Sequence, residues 1–242
     1  MTEHAVGTEE EHEAAREKLL AREKELTRLN DELAEERRRL PWVPVEKEYR
    51  FESEDGTKTL AELFDGRSQL LVYHFMFGPG YEAGCTVCSS IADTIDPNTP
   101  HLNARDVTMI CSSRAPLERL LSYRERMGWS FDWVSTVGDD FHRDHGFFHT
   151  SDEIKSFLDG EIPPAVEQMA TASGTDVGGY LAEGPGLSAW ALSDETVYRT
   201  YLTTARGLEP AMAYYGLLDR APRGRQEDEG TQHWLRRHDE YA

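Results

Sequence analysis

The chain has 242 residues, 38% hydrophobic and 10% aromatic, enough for one sizeable core with appendages in one or two domains. Aspartate and glutamate number 45 against 26 lysines and arginines, and the net charge of -19 argues against any general affinity for DNA, RNA or an anionic membrane face. No run resembles a signal peptide or a bilayer span, and the three cysteines do not form a secreted disulfide scaffold, so a reducing, cytoplasmic setting is expected.

Residues 1–40 are rich in Glu, Arg and Lys, and Leu19, Leu26, Leu33 and Leu40 recur every seven residues. Leu29 falls three after Leu26, where a second seam position of a heptad belongs. This pattern predicts a long helix from Glu9 to Leu40, ended by Pro41. One leucine stripe must cover something, either the chain's own domain or a second subunit, and a homodimer through this helix is the preferred expectation. Val45 to Phe51 alternates as an exposed strand does, Asp55-Gly56 marks a tight turn, and Thr59 to Phe64 makes a helical turn or two.

An apolar run from Leu70 to Phe77 reads as a strand, and a glycine-rich turn leads from it to Cys85-Thr86-Val87-Cys88 and a helix over Ser89 to Ile95. Val107 to Cys111 is a short strand. Ala115-Pro116 starts a helix, with Pro in the first turn; Leu117, Leu120, Leu121 and Met127 form its buried face, and Gly128 stops it. Phe131 to Val137 is another strand, followed by a loop from Gly138 to Gly146. Residues 149–186, with Pro163-Pro164 and no clear period, read as an insertion, helical around Ile162 to Ala170 and otherwise loop. Leu187 to Leu192 and Val197 to Leu202 form a hairpin across Ser193-Asp194-Glu195-Thr196, and Gly207 to Leu218 is helical. Ala221 to Gly230 is a charged linker, and Trp234 and Tyr241 in the closing segment predict that the end docks rather than frays.

From residue 69 the order is therefore β-α-β-α-β, insertion, β-β-α. That order predicts an α/β, thioredoxin-like fold: a central mixed sheet flanked by helices, with a long N-terminal helix and an insertion before the terminal hairpin. The expected divisions are an N-terminal helical arm over 1–41, the thioredoxin-like domain over 42–220, and a linker with docking tail over 221–242. The cysteine pair falls where such a fold keeps its active site.

The chain resembles a bacterial thioredoxin-like family catalogued as domain of unknown function eight-nine-nine. The resemblance is carried by His74-Phe75-Met76-Phe77-Gly78, Gly84-Cys85 with Cys88-Ser89, Ser113-Arg114-Ala115-Pro116, and Arg126-Met127-Gly128-Trp129. It continues in Thr200-Tyr201, Ala205-Arg206-Gly207-Leu208, Leu217-Leu218-Asp219, Gly224-Arg225-Gln226-Glu227 and His238-Asp239-Glu240-Tyr241. It implies the fold and a thiol site, without a substrate. The chain departs from the family where Phe-Asn-x-Asp is expected and Phe141-His142-Arg143-Asp144 stands.

The thiolate is the reactive form of cysteine, and a helix N-terminus favours an anion, so C-x-x-C sites lower a thiol pKa from about 8.5 to roughly 3.5–7.5. Cys85, at the helix start with its sulfur exposed, is the expected nucleophile; Cys88, a turn further in and more buried, is the expected resolving cysteine. The partner would be a protein or small-molecule disulfide or thiol, with no cofactor. Cys111, in a core strand, reads as a buried small hydrophobe. Three other readings stay open. One is a binding or assembly protein that keeps the fold without catalysis. Another is a metal site of Cys85 and Cys88 with His74, His142 or His145, although His142 and His145 read better as solvated loop residues. A peroxidase is less favoured, because P-x-x-x-[ST]-x-x-C is absent: Pro79 stands six before Cys85 and Glu82 three before it. Arg114 and Arg206 read as satisfied surface arginines.

Overall fold

A computed structural model describes residues 5–136, 138, 140–158, 162, 164–228 and 230–241, with side chains other than those of 157 and 158. Val137 of the expected strand, Asp139 of the expected loop, Pro163 of the insertion and Glu229 of the linker lie outside these residues. The chain divides into two units, residues 1–42 and 43–242.

The first unit is helix α1, Glu9–Arg38. Thr8 caps it: its hydroxyl accepts from the Glu11 amide at 3.2 Å, and the Glu11 carboxylate accepts from the Thr8 amide at 2.8 Å. Glutamates fill the first turn and arginines the last, which suits the helix dipole. None of its residues is buried.

The second unit is built on one eight-stranded sheet: β1 (Val43–Pro44), β2 (Arg50–Ser53), β3 (Gly56–Thr59), β4 (Gln69–His74), β5 (Val107–Ser113), β6 (Asp132–Thr136), β7 (Gly186–Ser193) and β8 (Thr196–Thr204). The spatial order is β1-β8-β7-β4-β5-β6-β2-β3. The three central pairings are the informative ones: β4 runs parallel to β5 and β5 to β6, while β7 joins β4 antiparallel. Parallel neighbours need crossovers. Helices α2 (Thr86–Ile95) and α3 (Thr99–Asn103) connect β4 to β5, and α4 (Leu117–Met127) connects β5 to β6. With the terminal β7–β8 hairpin this is a thioredoxin-like fold, a mixed sheet flanked by helices.

Strand periodicity divides the core in two. Tyr73, Phe75, Met109, Cys111 and Trp133 pack in one cluster with Ile91 of α2 and Leu120 of α4. Leu70, Val72, Ile110, Val134 and Trp190 pack in the other with Phe51 and Phe141. The β7–β8 turn is closed by Asp194 and Glu195, both at positive φ (48° and 63°), the conformation of a two-residue hairpin that right-handed strand twist demands.

Several boundaries differ from the sequence reading. The chain leaves β4 at His74, so Phe75 to Phe77 belong to the turn before the cysteines. Pro116 is the N-cap of α4 rather than a first-turn residue, while Gly128 stops the helix at φ 68° as expected. The expected loop after β6 contains helix α5, Asp140–Asp144. The insertion holds more helix than its composition suggested: α6 (Ser151–Leu158), α7 (Pro164–Ala172) and α8 (Val177–Leu181). A 3-10 stretch over Ala205–Ala211 precedes α9 (Ala213–Leu218), where one continuous helix was expected. Among the described residues no helix is long and apolar enough to cross a membrane.

Candidate active site

The turn between β4 and α2 is held by backbone bonds from both directions. Phe75 N donates to Ser112 O at 2.9 Å, Ala115 N to Phe77 O at 2.8 Å, and Cys85 N to Met76 O at 3.2 Å. The residue before Cys85 has to be glycine: a Cβ on Gly84 would stand 2.7 Å from the Phe75 ring and 3.0 Å from that of Tyr123. Cys85 is the N-cap of α2, and Cys88 follows within the first turn.

Both thiols are free, and each residue is 1% exposed. The expectation of an exposed Cys85 sulfur is therefore corrected, as is that of a more buried Cys88. The two differ in their partners instead. Cys85 is lowered to about 6, first by the hydrogen bond from the Cys88 thiol; burial opposes this, and the Tyr180 hydroxyl and the amides of Cys88 and Val87 assist it. Cys88 is pushed well up, first by burial and then by the adjoining Cys85. Its sulfur accepts from Met76 N at 3.5 Å. The buried Tyr73 hydroxyl borders Cys88, its interaction there adding to burial in holding the phenol up.

The cover over Cys85 comes from distant segments. The Tyr180 hydroxyl, on α8, lies 3.2 Å from Cys85 Sγ and 3.3 Å from Met169 Sδ on α7. It has one proton, and a thiolate is the stronger acceptor of the two sulfurs. Tyr81 holds Tyr180 from behind, donating to its carbonyl at 3.0 Å with the rings stacked. From the C-terminal segment, the buried Arg237 guanidinium donates to Gly84 O at 2.7 Å, Ala172 O at 2.8 Å and Tyr123 Oη at 2.8 Å. Tyr123 meets Ser89 Oγ at 2.9 Å, and Ser89 donates to Cys85 O at 2.8 Å. Arg126 with Asp239, and His238 with Asp93, fasten the same tail, which docks on its own domain.

The model of the family described as "Bacterial protein of unknown function (DUF899)" matches residues 1–241. The chain belongs to the DUF899 family. No curated protein matches it at a significant level. Solved structures similar to this DUF899 chain include peroxidoxin BcpB from Mycobacterium tuberculosis, 10% identical over 72% of this chain and 93% of that one, TM-score 0.43. A PrxQ mutant from Xylella fastidiosa is 11% identical over 71% and 89%, TM-score 0.42. Peroxiredoxin Q from Xanthomonas campestris is 14% identical over 68% and 87%, TM-score 0.40.

Three histidines of this DUF899 chain, His74, His142 and His145, gather around Phe141. His74 stacks on Phe141 and Phe147, and His142 lies tilted against Phe141, which belongs to the core cluster that excludes the cysteines. His142 is 2% exposed, with Nε2 3.2 Å from Ser112 Oγ, and His145 is partly buried with Nδ1 2.6 Å from Phe141 O. The reading of both as solvated loop residues is corrected; helix α5 folds them in. Among the described residues no three His, Cys, Asp or Glu side chains are grouped to hold a metal, so the mixed cysteine–histidine site has no geometric basis here. Cys111 is fully buried in β5, and burial raises its thiol well above the ordinary range. Arg114 is not a surface residue: it pairs with buried Glu183 at 2.7 Å and stacks on Phe148. Arg206 is exposed and pairs with Glu209.

Tyr180, Tyr123, Ser89 and Arg237 escaped the sequence reading as site residues. Tyr180 stands in a stretch without hydrophobic period. The one available signal for Arg237 was the aromatic and charged density of the tail.

Proposed function

We propose that this DUF899 protein is a thiol–disulfide oxidoreductase in which Cys85 attacks and Cys88 resolves. The observation that carries the reading is the placement of Cys85 at the N-cap of α2, with its sulfur 3.2 Å from the Tyr180 hydroxyl and Cys88 in the first turn beside it; that setting lowers the Cys85 thiol and raises that of Cys88. In the proposed cycle Cys85 thiolate bonds to one sulfur of a substrate disulfide, and the other substrate sulfur leaves and takes a proton. Cys88 then gives up its proton and attacks Cys85 Sγ; the Cys85–Cys88 disulfide forms and the second substrate thiol departs. Two protein thiols become one disulfide as one substrate disulfide becomes two thiols. Loss of the Cys85 charge in the mixed disulfide removes one of the influences holding the Cys88 proton. Return to the dithiol needs an external thiol reductant, which suits a cytoplasmic setting.

The test is oxidation of the reduced protein by a small disulfide, followed by mass spectrometry. The reading expects an intramolecular Cys85–Cys88 disulfide in the wild type and a stable mixed disulfide on Cys85 in Cys88→Ser. Failure of the pair to bond, or an unchanged reaction in Cys85→Ser, rules it out.

The burial of Cys85 under Tyr180 and Met169 favours a second reading with the same residues. A peroxide is small enough for a closed site. Cys85 would take one peroxide oxygen as a sulfenic acid while water or an alcohol leaves, and Cys88 would condense with it, releasing water. Peroxide in place of the disulfide, in the same experiment, separates the two. For assembly, we propose that the leucine seam of α1 pairs with a second copy of the chain, as its heptad spacing favours.

A further inference from the structure

Between α7 and the C-terminal segment runs a cleft of about 500 Å³, within the range of small-molecule sites. Thr86, next to Cys85, and Met169, which touches the Tyr180 hydroxyl, line it, and both are at least half-buried. Gln168, Gln232, Glu167 and Arg236 also line it, and Glu167, Gln168 and Arg236 are exposed. Cys85 Sγ is thus two side chains from the cleft: Met169 Sδ to Tyr180 Oη is 3.3 Å, and Tyr180 Oη to Cys85 Sγ is 3.2 Å.

Neither charge at the rim has an ion-pair partner among the described residues. The Arg236 guanidinium donates from Nη1 to the carbonyls of His233 and Leu235, and no carboxylate among the described residues pairs with it. Glu167 uses its backbone carbonyl to accept from Thr171 and pairs with no cation among the described residues. We infer that this cleft is the substrate site for Cys85 and takes a small disulfide of amino-acid type, carrying both an ammonium and a carboxylate beside its sulfurs. The inference rests on the oxidoreductase reading. A doubly anionic disulfide meets Arg236 but approaches a chain of net charge -19. A purely cationic one has Glu167 but faces Arg236. A zwitterion satisfies both groups, and the two glutamines offer amides to its polar remainder. Reaction follows the balance above: the substrate S–S bond breaks as Cys85 Sγ bonds to one sulfur, and two small thiols leave once Cys88 closes the protein disulfide.

The experiment mixes the reduced full-length protein with excess cystine, cystamine, dithiodiglycolate or bis(2-hydroxyethyl) disulfide and follows Cys85–Cys88 disulfide formation by quenched mass spectrometry. Each rate is divided by that disulfide's rate with a free dithiol. Cystine is expected to be fastest, by about five-fold, the upper end for an exposed charge pair. With each variant's rate for the uncharged disulfide as its own reference, Arg236→Gln removes the advantage for cystine and slows dithiodiglycolate, and Glu167→Gln removes it for cystine and slows cystamine. Equal normalised rates for all four disulfides, or variants that change nothing, overturn the cleft assignment while leaving the oxidoreductase reading intact. If none of the four oxidises the pair, the oxidoreductase reading falls and takes the inference with it.

Discussion

The hydroxyl of Tyr180 lies 3.2 Å from Cys85 Sγ, although 95 residues separate them along the chain. A helix N-terminus favours the thiolate in any C-x-x-C site; here a phenol from the insertion adds a donor and also closes the site. Removing it is the sharpest test of how the Cys85 thiol is tuned. Tyr180→Phe keeps the ring on Tyr81 and deletes the donor. A hydrogen bond to a charged acceptor is worth about 1.5–3 kcal/mol, and one pH unit is about 1.4 kcal/mol, so the Cys85 midpoint should rise by about one to two pH units. Alkylation rate against pH reads it.

Arg237 joins the tail to the carbonyls of Gly84 and Ala172 and to Tyr123, beneath the surface. Arg237→Met leaves those buried acceptors without their donor, with an expected loss of about 2–4 kcal/mol in denaturant unfolding. Because the same contacts seal Gly84 and α7, the variant should also expose Cys85 to iodoacetamide faster than the wild type at equal thiolate fraction. A stable variant with unchanged alkylation would detach the tail from the site.

The buried histidines make the fold sensitive to acid. His142 is held down to about 3 and His74 well below its ordinary value, in both cases chiefly by burial. Above the unfolded value of 6.5 neither state carries a proton, and no stability depends on pH through these groups. Below it the unfolded chain takes the proton and the folded chain does not, so stability falls from pH 6.5 down to about 3 for His142. One such histidine costs about 2 kcal/mol between pH 7 and pH 5. His142→Asn should lose about that much less on acidification in urea titrations at the two pH values.

For α1, the measurement is oligomeric state. Deleting residues 1–41 is expected to convert a dimer into a monomer by sedimentation, with far-ultraviolet circular dichroism reporting the remaining fold. A wild-type monomer would remove the proposed pairing.

Legibility followed locality. The order of strands and helices around Cys85, the Gly128 stop and the β7–β8 turn were readable because each is set by neighbouring residues: alternation within strands, a helix end, four residues of a hairpin. Burial of Cys85 was not readable. It depends on Tyr180, Met169 and Arg237, contributed by a segment without periodicity and by a tail whose docking partners are Asp93, Tyr123 and Arg126. His142 was misread as solvated for a related reason. The sequence around it is charged, and only the packing of Phe141 among Tyr49, Phe51 and Trp190 turns α5 inward.

The most direct measurement is the thiolate absorbance of the reduced protein against pH, taken as the difference between wild type and Cys85→Ser. The account expects a step with its midpoint at about 6. A midpoint near the ordinary thiol value of about 8.5 would contradict it, because Cys85 would then be no better a nucleophile than a free cysteine.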